Sequence, residues 1–162
     1  MDVRDYLIEQ SAFDWQKILA NWVPPLPEQF TVWLVNRFGD IFAVYEDQTV
    51  NWLRIDTGTI TRVACNRDQF CDLVDLAENT NEWLLISVVD DCVANGKVLG
   101  PGQCYGYKLP PILGGGYEFD NVGSMDLEVY YSFLADIYRQ TKDLPDGTKV
   151  TKVGLVQVID KP

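Results

Sequence analysis

The chain has 162 residues, 47% hydrophobic and 23% charged, a balance that excludes a disordered segment and is long enough for one domain, residues 1–162, with a real core. Its 13 Lys and Arg against 24 Asp and Glu leave a formal charge of −11, which opposes nucleic acid and anionic membranes as partners and suits a basic protein partner. With no histidine, Ser-His-Asp and Cys-His catalysis, imidazole metal ligation and imidazole pH switching are all removed.

The N-terminal region, residues 1–23, reads as helical. Val3, Tyr6 and Leu7 have helical spacing within a short first helix, Asp2 to Gln10. Ser11 and Asp14 form a capping pair for a second helix, with Trp15, Ile18, Leu19 and Trp22 on one face. Pro24, Pro25 and Pro27 stop it. The period then changes to two. Thr31–Asn36, Ile41–Tyr45, Val50–Ile55 and Thr59–Ala64 read as four strands of an antiparallel meander, turned at Arg37–Asp40, near Asp47 and at Asp56-Thr57-Gly58. Both faces of the second strand are apolar, which places it centrally.

Asn66 with Gln69 marks the next helix start, and Phe70, Leu73, Val74 and Ala77 give it a buried stripe. Asn79 with Glu82 repeats the device for a run from Trp83 to Val93 that stops at Asn95-Gly96. From Leu99 to Tyr117 the density of glycine and proline predicts a long ordered loop in place of helix or strand, held down by its aliphatic and aromatic side chains. Ser124 or Asp126 starts the last long helix, with Leu127, Tyr130, Tyr131, Leu134, Ile137 and Tyr138 inward. The valine-rich tail, 151–162, reads as a strand. The expectation is therefore an α+β fold: an antiparallel sheet of at least four strands, with three main helices on one face and the central loop crossing it.

Four cysteines, Cys65, Cys71, Cys92 and Cys104, lack zinc-finger or redox spacing and read as free thiols, and the N-terminus is not that of a signal peptide, so the compartment expected is the cytoplasm. No apolar run is long enough to span a membrane. Asp56-Thr57-Gly58 has the sequence of an aspartic-protease turn, but that chemistry needs a second carboxylate, hence a second copy or a homodimer. A hairpin turn is already required there, and Asp and Gly are ordinary turn residues. Asp90 and Asp91 suit a solvated rim, and Tyr105 and Tyr107, with Gln103 beside them, are either core residues or contact residues for a partner. Neither a catalytic residue, a metal ligand nor a cofactor motif is predicted.

Four strings carry a resemblance: Trp33 to Phe42 (WLVNRFGDIF), Asn81-Glu82-Trp83-Leu84, Gly100-Pro101-Gly102-Gln103-Cys104-Tyr105-Gly106-Tyr107-Lys108, and Lys142 to Lys149 (KDLPDGTK). They resemble a bacterial family, formerly a domain of unknown function, described as the C-terminal domain of type VI secretion immunity proteins. The family core would lie within 31–150, and the family looks related to the SUKH group of α+β proteins. Longer relatives carry an extra N-terminal domain that this sequence lacks, and the tail past Val150 has no counterpart. The resemblance implies a non-enzymatic inhibitor that occludes a cognate, basic effector toxin. The residues themselves offer Asp90, Asp91, Gln103, Tyr105 and Tyr107 as candidates for partner contact. The competing expectations are a homodimeric hydrolase built on Asp56, or an acidic scaffold whose charge serves only solubility.

Overall fold

The computed structural model describes residues 2–22, 26–145 and 147. Its centre is a four-stranded antiparallel sheet in the order β1-β2-β3-β4, formed by Phe30–Val35, Ile41–Tyr45, Val50–Arg54 and Thr59–Ala64. These are the four strands that alternation and turn residues predict. The β1–β2 turn is fastened by buried Asn36, whose Oδ1 accepts from the Phe38 and Asp40 N–H groups at 2.9 and 3.0 Å and whose amide donates to the Trp83 carbonyl at 2.9 Å. Gly39 closes that turn at φ +85°, a conformation costly for any residue with a Cβ.

Successive residues of β2 face opposite ways, and each face buries its own core. Ile41 and Ala43, with Val35, Leu53 and Ile55, meet Trp15, Leu19 and Trp22 and the inner face of the last helix. Phe42 and Val44, with Val50 and Trp52, meet Phe70, Trp83, Leu84, Val89 and Cys92. The helices expected on one face thus cover both. The physical reason is the one that makes β2 central: a strand apolar on both sides needs two layers.

α1, Trp15–Ile18, is a single turn capped by Asp14, and the expected first helix is a 3-10 turn, Val3–Tyr6. α2, Arg67–Val74, starts at Asn66, whose side chain accepts from the Gln69 N–H at 2.8 Å. The run expected to begin at Asn79 is instead two helices, α3 Ala77–Leu84 and α4 Ile86–Ala94, separated by Leu85 at φ +54°. Asn79 does not cap a helix start; its amide donates to the Leu73 carbonyl at 2.9 Å and closes the end of α2. α5, Leu127–Thr141, begins at Asp126, whose carboxylate accepts from the Val129 N–H at 2.9 Å.

The stretch from Leu99 to Tyr117 is not one irregular loop. Gln103–Tyr107 forms β5, paired antiparallel with β6, Val122–Asp126, in a second, two-stranded sheet. Gly106 lies opposite Gly123 in that ladder, and a Cβ on Gly106 would come within 2.7 Å of Met125 Sδ and 2.8 Å of Tyr130 Cζ. Glycine here permits close approach inside a strand. The remainder, Leu109 to Tyr117, is clasped by Asn121, which accepts from the Leu109 N–H and donates to the Leu109 and Gly116 carbonyls at 2.7–2.9 Å. The expected tail strand lies outside the described residues. Among the described residues no helix is long and apolar enough to cross a membrane.

Candidate functional site

Period two along β3 places Trp52, Arg54 and, just past the strand end, Asp56 in one line. The line opens into a cleft of about 350 Å³ whose other walls come from the β1–β2 turn (Phe38, Asp40), from α3 and its end (Glu82, Leu85) and from Tyr107, Tyr117 and Tyr130. Two tyrosines of α5 fix the floor from below: the Tyr131 hydroxyl donates to the Gly39 carbonyl and the Tyr138 hydroxyl to the Ile55 carbonyl. The Asp56-Thr57-Gly58 segment is the β3–β4 turn, with Gly58 at φ +73° and its N–H donating to the Arg54 carbonyl at 2.8 Å.

Charges in the cleft are arranged around one guanidinium. Arg54 Nε and Nη2 donate to the two oxygens of Asp56 at 3.2 and 2.7 Å, a bidentate pair, and the guanidinium lies 5.3 Å over the Trp52 ring. Behind it, the carboxyl of Asp40 is pushed up to about 7 by burial and by the charge of Asp56, against the opposing pull of the Ile55 N–H and the Asn36 amide. Burial, and then the charges of Asp56 and Asp40, raise the Tyr107 phenol, and burial followed by the charge and hydrogen bond of Asp56 raises that of Tyr117. Trp52 Nε1 is buried without a hydrogen-bond partner.

A proton-sharing aspartate pair must offer oxygens to an attacking water. Here both oxygens of Asp56 are taken by Arg54 of the same chain, and those of Asp40 accept from the Ile55 N–H at 3.0 Å and from Asn36 at 3.2 Å. Among the described residues no group of three or more His, Cys, Asp or Glu side chains comes together to hold a metal ion.

The five partner-binding candidates are scattered in role. Asp90 is half-buried and accepts from the Tyr6 hydroxyl at 2.8 Å, which ties the N-terminal turn to α4. Asp91 is exposed. Gln103 accepts from the Gly100 N–H at 2.7 Å and shapes the turn into β5. Tyr105 and Tyr107, 1% and 4% exposed, meet on Phe38, each with its ring centroid 5.5 Å away. The Tyr105 hydroxyl donates to the Lys97 carbonyl, so its ring is a core element. Tyr107 alone of the five reaches the cleft. Sequence reasoning missed Asp40, Trp52, Arg54, Glu82 and Tyr117. The same-face spacing of Trp52, Arg54 and Asp56 was the available signal.

A mixed α+β architecture, its main sheet enclosed between two helical layers and a charged aromatic cleft at one end, is the class that fold and site define. Residues 64–138 match the family model described as T6SS immunity protein Tdi1, C-terminal, which supports the resemblance read from the residues over this stretch. Two of the four quoted strings, Asn81–Leu84 and Gly100–Lys108, lie inside it. Among solved structures, the crystal structure of Atu4351 from Agrobacterium tumefaciens superposes with a TM-score of 0.52 at 20% identity, covering 74% of this chain and 62% of that one. That likeness is one of fold, and this chain spans less than two thirds of the other's length. No curated protein matches the sequence.

Proposed function

We propose that the protein is an immunity protein of the type VI secretion kind, which binds a cognate effector toxin in the cytoplasm of the producing cell and blocks it by occlusion. The observation that carries this reading is the family match over 64–138. The charge of −11 supports a basic effector, because complementary fields favour encounter and disfavour wrong partners. The engagement of both Asp56 oxygens by Arg54 supports inhibition by binding over a chemical step.

Co-expression with the effector tests it. The chain should restore growth and co-purify with the toxin at fixed stoichiometry, and toxin activity should titrate to zero at that ratio. Protection by substoichiometric amounts, or without a complex, would point to turnover and overturn the reading.

A further inference from the structure

We propose that the cleft beneath Tyr117 is an anchor pocket for a single cationic side chain, arginine or lysine, projected by the partner protein. The proposal rests on the toxin-binding reading above and names what enters the site.

Size is the first argument. About 350 Å³ is at the low end of the ligand-pocket range, room for one extended side chain and not for a large cofactor. The second is the chemistry of the walls. Trp52, Tyr107 and Tyr117 line the cleft; Trp52 is stacked against Phe42 and Tyr107 is packed on Phe38, so Tyr117, 49% exposed, is the ring that meets an incoming cation. Arg54, already seated over the Trp52 ring at 5.3 Å, shows that this wall accepts a guanidinium.

Charge count is the third argument, and it decides the sign. Asp56 and Glu82 line the cleft as carboxylates against Arg54 as the lining cation, while buried Asp40 holds its proton up to about 7 and is left out of the count. Arg54 is committed to Asp56, and Glu82 stands exposed on α3 with no hydrogen bond or ion pair among the described residues. An anion entering this cleft would meet excess negative charge, whereas an ammonium or guanidinium would be drawn to Glu82.

Two further features indicate a place built to receive a chain segment. Trp52, in the cleft wall, is 6% exposed, and its Nε1–H has no acceptor among the described residues. Leu85, in the cleft wall, holds the left-handed conformation at φ +54° and ψ 42° without being glycine, a strained arrangement of the kind that gathers at binding sites. Tyr117, from the loop that Asn121 clasps, lines the cleft while 49% exposed.

The test uses the isolated chain and small probes, so its outcome does not depend on the toxin. The Trp52 indole N–H signal in ¹⁵N NMR is followed during titration with Nα-acetyl-arginine methylamide, the lysine analogue, the neutral isostere Nα-acetyl-citrulline methylamide, and guanosine. A saturable shift with a cationic probe, at least about tenfold tighter than with citrulline, is expected, and the tighter of the two cations identifies the side chain. Glu82→Gln, an exposed change that leaves the melting temperature in place, should weaken the cation about tenfold, the loss of roughly one charge-assisted contact. Asp56→Asn should weaken it also, provided its fold is intact by the same spectrum. Equal binding of citrulline, no shift with either cation, or a shift with guanosine alone would overturn the proposal. Each of those results would leave the co-expression experiment, and the immunity reading, standing on its own.

Discussion

Asp40 shows how one carboxyl can be shaped by its surroundings. It is held by the Ile55 N–H and the Asn36 amide, yet burial and the neighbouring Asp56 raise it from 3.8 to about 7. Its folded state therefore keeps a proton that the unfolded chain has already released across the interval between about 4 and 7. The stability this contributes is complete below the unfolded value and is lost as pH rises through about 7. Urea unfolding of wild type and Asp40→Asn across pH 4 to 8 should show wild type losing stability relative to the variant as pH rises. Parallel curves would mean that Asp40 stays ionised in the folded protein throughout.

At the level of elements, two glycines of the central stretch separate two kinds of cost. Gly102 has φ +74° with nothing within 4 Å of a Cβ position, so Gly102→Ala strains only the backbone, by about 1 kcal/mol. Gly106 is crowded by Met125 and Tyr130, so Gly106→Val forces β5 away from α5 and should cost several times as much, roughly 3 kcal/mol. Thermal melts of the two variants check the order; equal midpoints would place β5 away from Tyr130. These positions also show what the sequence made legible. The meander was readable because Ile41–Tyr45 and its neighbours alternate between turns marked by Gly39 and Gly58. β5 was not, because the glycines and prolines around it signal loop, and only pairing with distant Val122–Asp126 makes a strand of it. The break at Leu85 carries no glycine or proline to announce it. For the cleft, Trp52, Arg54 and Asp56 share a face by spacing alone, while Glu82 and Tyr117 arrive there through tertiary structure.

Over the whole molecule, the charge of −11 acts at long range, and the consequence is kinetic. If the acidity serves recognition of a basic toxin, the association rate should fall steeply with salt, since exposed charges are screened over about 10 Å at 0.1 M. Exposed Asp91 belongs to this outer field, and Asp91→Asn should slow association with little change in dissociation. Changes in the desolvated cleft, such as Trp52→Phe, should act the other way, chiefly on the dissociation rate. Surface-binding kinetics across a salt series separates the two. An association rate independent of salt would assign the acidity to solubility alone.

The two-sided cover of the main sheet also sets an order in time. α2, α3 and α4 follow β4 directly in the chain, so one face can close as soon as they are made. The opposite face, with Val35, Ile41, Ala43, Leu53 and Ile55, is covered in large part by Leu127 to Tyr138, the last described helix. On the ribosome, this half-built molecule carries an open apolar sheet until α5 emerges, the kind of surface that chaperones engage and that aggregates when it persists. A nascent chain arrested before Leu127 would therefore be a client for chaperones and proteases, and only completion of α5 would release a molecule with both faces of its sheet closed.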